Sequence, residues 1–323
     1  MSQSRDQRHP ATAALVIGTG KGSGRKSGPR IPNSRLVKHG YWWWALPALT
    51  AIFSVHYVAT LIGAFFSFTD YQGYGTFNWI GFDNYAKLPL DPEVMSSIGN
   101  TIFLALGALI ISNGVGLGLA LALNRTLKTR YVLRTLLFLP VILSPLAVSY
   151  IFRFIFAIDG PMNQLLKVLG YSGTPIVWLA NAKLSIWVIL LVVAWQMIGV
   201  SMVIFLAGLA TVPHEIEEAA AIDGAGTFTR FFRITIPLIQ PALAISTTLG
   251  LIQGLKIFDQ VLAMTGGGPF GATETLSLVV YADTFTNMRF GYGAAIAMVL
   301  TFVILIASGI QLWLTRDRAG VHN

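Results

Sequence analysis

The chain has 323 residues, 54% of them hydrophobic and only 11% charged, with a mean hydropathy of +0.65. Soluble domains carry about 25% charged residues, so this composition excludes one large soluble core and indicates a polytopic membrane protein. There is no cysteine, which excludes disulfides and thiolate metal sites, and none of the five histidines stands in a zinc-binding HExxH spacing. The net charge of +8 is weighted towards the N-terminus.

Residues 1–40 are rich in Gly, Ser, Pro and basic side chains, and read as a disordered basic cytoplasmic tail. The tail lacks the interleaved aromatics of a nucleic-acid-binding segment, so no nucleic-acid partner is expected. Its stretch 20–27 imitates a phosphate loop, but Arg25 occupies the place where Gly must let the backbone wrap phosphates, and no strand precedes it.

Six apolar segments follow, at 42–68, 98–123, 133–156, 184–209, 236–258 and 292–314. A helix needs roughly 20 residues to cross a hydrocarbon core of about 30 Å. These lengths suit helices, which satisfy their own backbone hydrogen bonds in lipid, rather than barrel strands. The expected architecture is all-α with six transmembrane helices. The first run is longer than the usual 7–15 apolar residues of a signal peptide and reads as a retained anchor. Trp42, Trp43 and Trp44 stand at its inner end as an interfacial belt. The expected organisation places the first helix and an outer loop in 41–97. A core of five helices fills 98–315 and contains a polar segment at 211–235, and a second cytoplasmic tail occupies 316–323.

The loops fix an expected orientation. With the N-terminus inside, the inner segments carry sixteen Lys and Arg residues, and the outer loops carry four, Lys87, Lys167, Lys183 and Arg289. Arg153 and Lys256 fall near outer helix ends. An inner excess of this kind places both termini in the cytoplasm.

Ionisable and polar groups inside the spans have two readings. His56 is isolated in the first span, which suits a packed or hydrogen-bonded role more than a proton relay. Lys256 and Asp259, spaced i, i+3, can pair on one helix face near the outer end, or touch solute or an outer partner. Asn113, Gln196, Ser201, Thr247, Thr248 and Gln253 can hydrogen-bond between helices or line a polar path. Gly250 and Gly254 allow close helix approach or leave room for a ligand beside Gln253. The loop at 266–271 matches GxGxxG literally. However, it follows a span rather than a strand, and Pro269 disfavours helix just before it, so it reads as a structured turn.

The segment around Glu218 is the most distinctive. Pro213 suits a first helical turn, and Glu215, Glu217 and Glu218 lie near the positive helix end. Ala219, Ala220 and Ala221 favour helix and offer a smooth face. Asp223-Gly224 signals a turn, and Thr227 can cap a second helix that carries Phe228, Phe231 and Phe232. An element of this kind beside the bilayer suits docking to a partner; an ordinary polar loop is the alternative.

At these residues the chain resembles a known family. The pattern EAAxxDGAxxxxxFxxIxxPxxxP runs unbroken over 218–241 and is similar to the signature of permease subunits of bacterial ABC importers that use a solute-binding protein. The segments 81–85 (GFDNY), Asn100-Thr101, 134–140 (RTLLFLP), Phe258-Asp259, 265–269 (TGGGP) and 273–275 (TET) resemble the sugar-uptake, maltose-type branch. The resemblance implies a type I ABC importer permease fold in the bacterial cytoplasmic membrane. It also implies a pore shared with a second homologous permease, an ABC ATPase dimer that binds ATP and Mg, and an extracytoplasmic binding protein that delivers solute. By the same likeness Glu218, Ala219, Ala220, Asp223, Gly224 and Ala225 form the surface coupled to the ATPase. Solute contacts fall near Met197, Val200, Gly250 and Gly254, joined by Gln196, Ser201 and Gln253.

The chain departs from the maltose permease in lacking extra N-terminal spans and a large outer domain. The expectation is a transport subunit, not an enzyme, with no cofactor of its own, carrying a mono- or oligosaccharide. A permease for glycerol phosphate or a polyol is the alternative within the family. An ion-coupled secondary transporter is the alternative outside it, but no mid-span carboxylate is present to couple an ion. An intramembrane enzyme would need clustered catalytic groups that the spans lack.

Overall fold

The computed structural model describes residues 36–124 and 128–319. The expected disorder of the tail before Leu36, the stretch at 20–27 and the last residues, 320–323, lie outside the described residues. The chain divides after Val55 into two units. The first contributes α1, Leu36–Ile52, which begins ahead of the expected boundary at 40. Its side chains from Trp43 onward are largely exposed.

The second unit is helical throughout. Its helices are α2 (Ala59–Phe66), α3 (Asp83–Lys87), α4 (Pro92–Leu123), α5 (Arg130–Ile142), α6 (Pro145–Ile155), α7 (Pro161–Val168) and α8 (Ser185–Leu209). They continue with α9 (His214–Ile222), α10 (Thr227–Arg230), α11 (Ile236–Leu238), α12 (Gln240–Leu255), α13 (Asp259–Met264), α14 (Leu276–Tyr281) and α15 (Phe290–Ala319). Among the described residues the β structure is one isolated bridge, Thr69 to Trp79.

Four of the expected spans are continuous helices long enough to cross a membrane: Trp43–Phe66, Pro92–Leu123, Ser185–Leu209 and Phe290–Thr315. The other two are helix pairs bent at a short break, and with each pair taken as one span the candidates number six among the described residues. The expected third span breaks between α5 and α6, which diverge by 97°. Leu143 and Ser144 are extended, with ψ of 139° and 130°; at Ser144 the ring of Pro145 disfavours helical backbone in the residue before it. Pro140, inside α5, does not break its helix. The expected fifth span bends by 71° between Thr227–Leu238 and α12. Pro241 sits in the first turn of α12, where a missing N–H costs little, and Pro237 stands at the end of the Thr227–Leu238 run, just before the bend.

Other expectations are also revised. α12 ends at Leu255 and Asp259 starts a new helix, so Lys256 and Asp259 no longer share a helix face. The single ion pair among the described residues is Asp283–Arg289 instead. His56 lies in a π-helical turn, Phe53–Val58, and its side chain is exposed rather than packed. Pro213 stands at the N-cap of α9 rather than in its first turn, and Gly226, not Thr227, takes the N-cap of α10. The sequence also gave no sign of α14 and the π-helical turn Ala282–Thr286 that follows it.

Packing centres on α8, which lies against α4, α5 and α12. Its mostly apolar sequence buries Val188, Ile189, Val192, Val193, Met202 and Phe205 on several sides, as expected of a helix surrounded by protein. Small residues set the spacing. A Cβ on Gly116 of α4 would stand 2.8 Å from Ser201 Cβ of α8, and one on Gly254 of α12 would stand 2.8 Å from Ala105 Cα of α4. Backbone-to-backbone approach of this kind is the usual basis of helix association in lipid. Polar side chains then fasten the pairs. Ser246 Oγ donates to Asn113 Oδ1 at 2.6 Å, joining α12 to α4, and Thr248 hydrogen-bonds Gln311, joining α12 to α15. Gln240 Nε2 donates to the Thr315 carbonyl at 3.2 Å. Thus Asn113, Thr248 and their neighbours serve helix association, the first of their two readings.

The sequence motifs at one end of the bundle are structural clamps. Asn84 is buried and donates to the Ser67 and Thr69 carbonyls, both at 2.9 Å. Asn100 donates to the carbonyls of Gly271 and Glu274, and Thr101 Oγ1 accepts from Leu276 N at 2.8 Å, so α4 holds the glycine-rich loop. Within that loop Thr273 Oγ1 donates to the Gly268 carbonyl, and its backbone N–H donates to that of Gly267. Helix α13 precedes the loop, and the segment is a pinned turn rather than a dinucleotide cradle.

Candidate translocation cleft and docking helix

A cleft of about 500 Å³ opens beside α8, at the break between α5 and α6 and at the end of α12. Gln196, Met197 and Val200 face it from consecutive turns of α8, and Gln253 faces it from the last turn of α12. Leu143 and Pro145 line it because the third span breaks there, and Lys256, Phe258, Asp259 and Gln260 line it because α12 stops at Leu255. Among the described residues the lining is largely apolar, with amides and one residue of each charge.

Of the residues expected on a solute path, Gln196, Met197, Val200 and Gln253 come together on this cleft. Ser201, Gly250 and Gly254 do not line it. Ser201 is buried against Gly116, Gly254 against Ala105, and a Cβ on Gly250 would meet Leu109 Cδ1 at 2.7 Å and Met197 Cε at 3.6 Å. Each lies on the side of its helix turned to α4. Gln260 was missed by sequence reasoning, since it lies beyond the apolar run in a stretch without periodicity. Its Nε2 donates to Gln196 Oε1 at 2.9 Å.

Beyond the cleft, Arg153 of α6 donates to the Ala263 carbonyl at 3.3 Å and so braces α13. Asp283 is buried and accepts from Arg289 Nε at 3.0 Å and from Asn287 Nδ2 at 2.9 Å, which fixes the turn into α15. Beneath the glycine-rich loop, burial together with the nearby Glu93 and Asp283 carboxylates pushes Glu274 up to about 7.

The segment 211–235 projects a second surface. Helix α9 ends in a left-handed Gly224, φ +79°, with Ala225 N donating to the Ala220 carbonyl at 2.9 Å and Gly224 N to that of Ala221 at 3.1 Å. This is a Schellman termination, which glycine adopts without Cβ strain. Glu218, Ala219, Asp223 and Gly224 are exposed, and Ala220 and Ala225 are half-exposed. A Cβ on Gly224 would meet nothing within 4 Å. Ile222 is 87% exposed and Phe228 82% exposed. Two large apolar side chains thus stand exposed on one short polar element.

Residues 114–319 match the family described as the binding-protein-dependent transport system inner membrane component. The chain belongs to this family. It is a multi-pass inner-membrane permease of a binding-protein-dependent ABC importer, a transport subunit and not an enzyme, and ATP is bound by a separate ATPase subunit. The permease is 33% identical over 287 residues to the probable starch degradation products transport system permease protein AmyD of Thermoanaerobacterium thermosulfurigenes, covering 88% of this chain and 97% of that protein. It is 35% identical to the multiple sugar-binding transport system permease protein MsmF of Streptococcus mutans, covering 87% and 98%, and 32% identical to the lactose transport system permease protein LacF of Rhizobium radiobacter, covering 86% and 94%. Among solved structures, a chain of a bacterial ABC transporter that imports the acidic polysaccharide alginate superposes with a TM-score of 0.75 at 21% identity, over 89% of this permease and 98% of that chain. At this identity the likeness establishes the helical fold.

Proposed function

We propose that this permease carries a neutral mono- or oligosaccharide through the cleft beside α8, driven by an ATPase that engages α9. The observation that carries the reading is the convergence of Gln196, Met197, Val200 and Gln253 on one cleft. Amides serve hydroxyl groups, and the apolar wall with Phe258 suits the C–H faces of a sugar ring. The names of AmyD, MsmF and LacF refer to starch products, multiple sugars and lactose, which favours the same solute class. A phosphate ester would call for several converging cations. Among the described residues Lys256 is the one cation on the cleft, and Asp259 lines it too, so glycerol phosphate is the weaker reading.

In this proposal Glu218, Ala219, Ala220, Asp223, Gly224 and Ala225 enter a cleft of the ATPase, where small side chains let the helix approach closely. Both termini and α9 lie in the cytoplasm. A second homologous permease closes the open side of the path, and the extracytoplasmic binding protein delivers sugar from the far side. The organisation into an anchor, an outer loop and a core with a coupling segment at 211–235 belongs to the same proposal. The test is uptake of labelled sugar by proteoliposomes containing the assembled transporter. Uptake requires ATP, the ATPase and the loaded binding protein, and Gly224→Trp abolishes it while the permease pair still assembles. Uptake driven by an ion gradient without ATP, or normal uptake by Gly224→Trp, would overturn the reading.

A further inference from the structure

Among the described residues Gln260 is the one side chain on the cleft that ties α13 to α8 by a hydrogen bond, and nothing in the family signature singles it out. Gln196, its partner, is 8% exposed and sits among Val193, Met197 and Val200. Each amide carries two N–H donors and one carbonyl. The bond between them uses one donor and one acceptor. Whichever way round the two amides stand, the pair keeps three N–H donors and one carbonyl oxygen free, and both residues line the cleft. No other hydrogen bond holds either side chain among the described residues.

A lone Gln196 amide on a mobile side chain would swing between the cleft and the α8–α13 seam. The bond to Gln260 removes that freedom, so the remaining donors are set before solute arrives, and the entropy of ordering them is not lost on binding. A fixed, donor-rich pair in an apolar wall favours solutes with closely spaced acceptor oxygens. It rejects analogues in which one of those oxygens is missing, because a buried donor is then left without a partner.

We infer that Gln260 is a positioning residue that fixes the Gln196 amide as a hydroxyl-reading subsite of the cleft, making the permease itself discriminate among sugars that differ by one hydroxyl. The inference rests on the reading of the cleft as the solute path.

The test uses the full transporter in proteoliposomes with its binding protein and ATPase. A panel of labelled sugars (glucose, maltose, maltotriose and lactose) is offered with monodeoxy analogues of each. The variants are Gln260→Leu, Gln196→Leu, the double substitution and Gln260→Glu, and pull-down with the ATPase measures assembly of each. Loss of one hydrogen bond predicts that Gln260→Leu narrows the preference for the hydroxylated sugar about fivefold. The double variant is no worse than Gln196→Leu alone, because Gln260 acts through Gln196. Gln260→Glu, whose carboxylate holds a turned Gln196 amide but leaves one free N–H donor instead of three, restores the preference only in part. If Gln260→Leu assembles and keeps the preference, or if the two single losses multiply, the assignment of Gln260 falls and the solute path stands. If the unmodified transporter carries none of the panel, the sugar reading falls and takes this subsite with it.

Discussion

Gly254 and Gly250 lie one turn apart on α12 and offer a sharp test of what the helix face turned to α4 does. A methyl group at Gly254 would stand 2.8 Å from Ala105 Cα, 3.1 Å from Ala105 Cβ and 3.2 Å from the Ala105 carbonyl oxygen. All three atoms are fixed to the α4 backbone or its first side-chain carbon. Carbon contacts become favourable at about 3.5 Å, so α4 and α12 must part by roughly 0.7 Å. Overpacking of that kind costs about 1–3 kcal/mol. At Gly250 the nearest atoms are Leu109 Cδ1 at 2.7 Å and Met197 Cε at 3.6 Å. Both are ends of flexible side chains that can turn aside, for about 1 kcal/mol or less. Gly254→Ala should therefore lower the denaturation midpoint of the purified permease in detergent, followed by tryptophan fluorescence, clearly more than Gly250→Ala does. Equal midpoints for the two variants would refute the packing account. So would a fully stable Gly254→Ala that has lost only uptake, since this would place Gly254 on the solute path.

Two further outcomes follow from side chains outside the spans. Glu274, raised to about 7 by burial and by its neighbouring carboxylates, binds a proton in the folded state that it does not bind unfolded, so its contribution to stability is full below about 4.5 and is lost as pH rises through about 7. The thermal midpoint should fall between pH 5 and pH 8, and Glu274→Gln should flatten that slope; an unchanged slope would remove Glu274 as its source. Asn163 is buried and donates to the Ile158 and Ile176 carbonyls, both at 2.9 Å, while accepting from Ile176 N at 3.1 Å and Trp178 Nε1 at 3.2 Å. Asn163→Ala leaves several of these groups unpaired and should cost about 2–4 kcal/mol in the same denaturation assay.

The cleft was half legible in the sequence. Gln196 and Gln253 stood out because an amide in an apolar run must find a partner or a path. Met197 and Val200 came from the family likeness. Ser201, Gly250 and Gly254 carried the same signals and proved to face α4, because polarity and size along a helix do not say which neighbour each face will meet. Gln260 carried no signal at all, since its role depends on α13 folding back to meet α8. The local structure of the segment at 211–235 was more legible. The Glu, Ala, Asp and Gly pattern specifies a local helix and its left-handed stop through bonds that span only a few residues, such as Ala225 N to Ala220 O.

Composition and apolar run length alone determined an all-helical membrane chain with six hydrophobic segments, because lipid leaves a backbone few ways to satisfy its hydrogen bonds. Tertiary structure decided which prolines break a segment. Pro140 stays inside α5, which rests on α8, whereas the chain turns by 97° ahead of Pro145 so that α6 can pack against α13. Both residues carry the same covalent constraint. The difference lies in what the following helix can bury after the turn, and the turn forms one wall of the cleft.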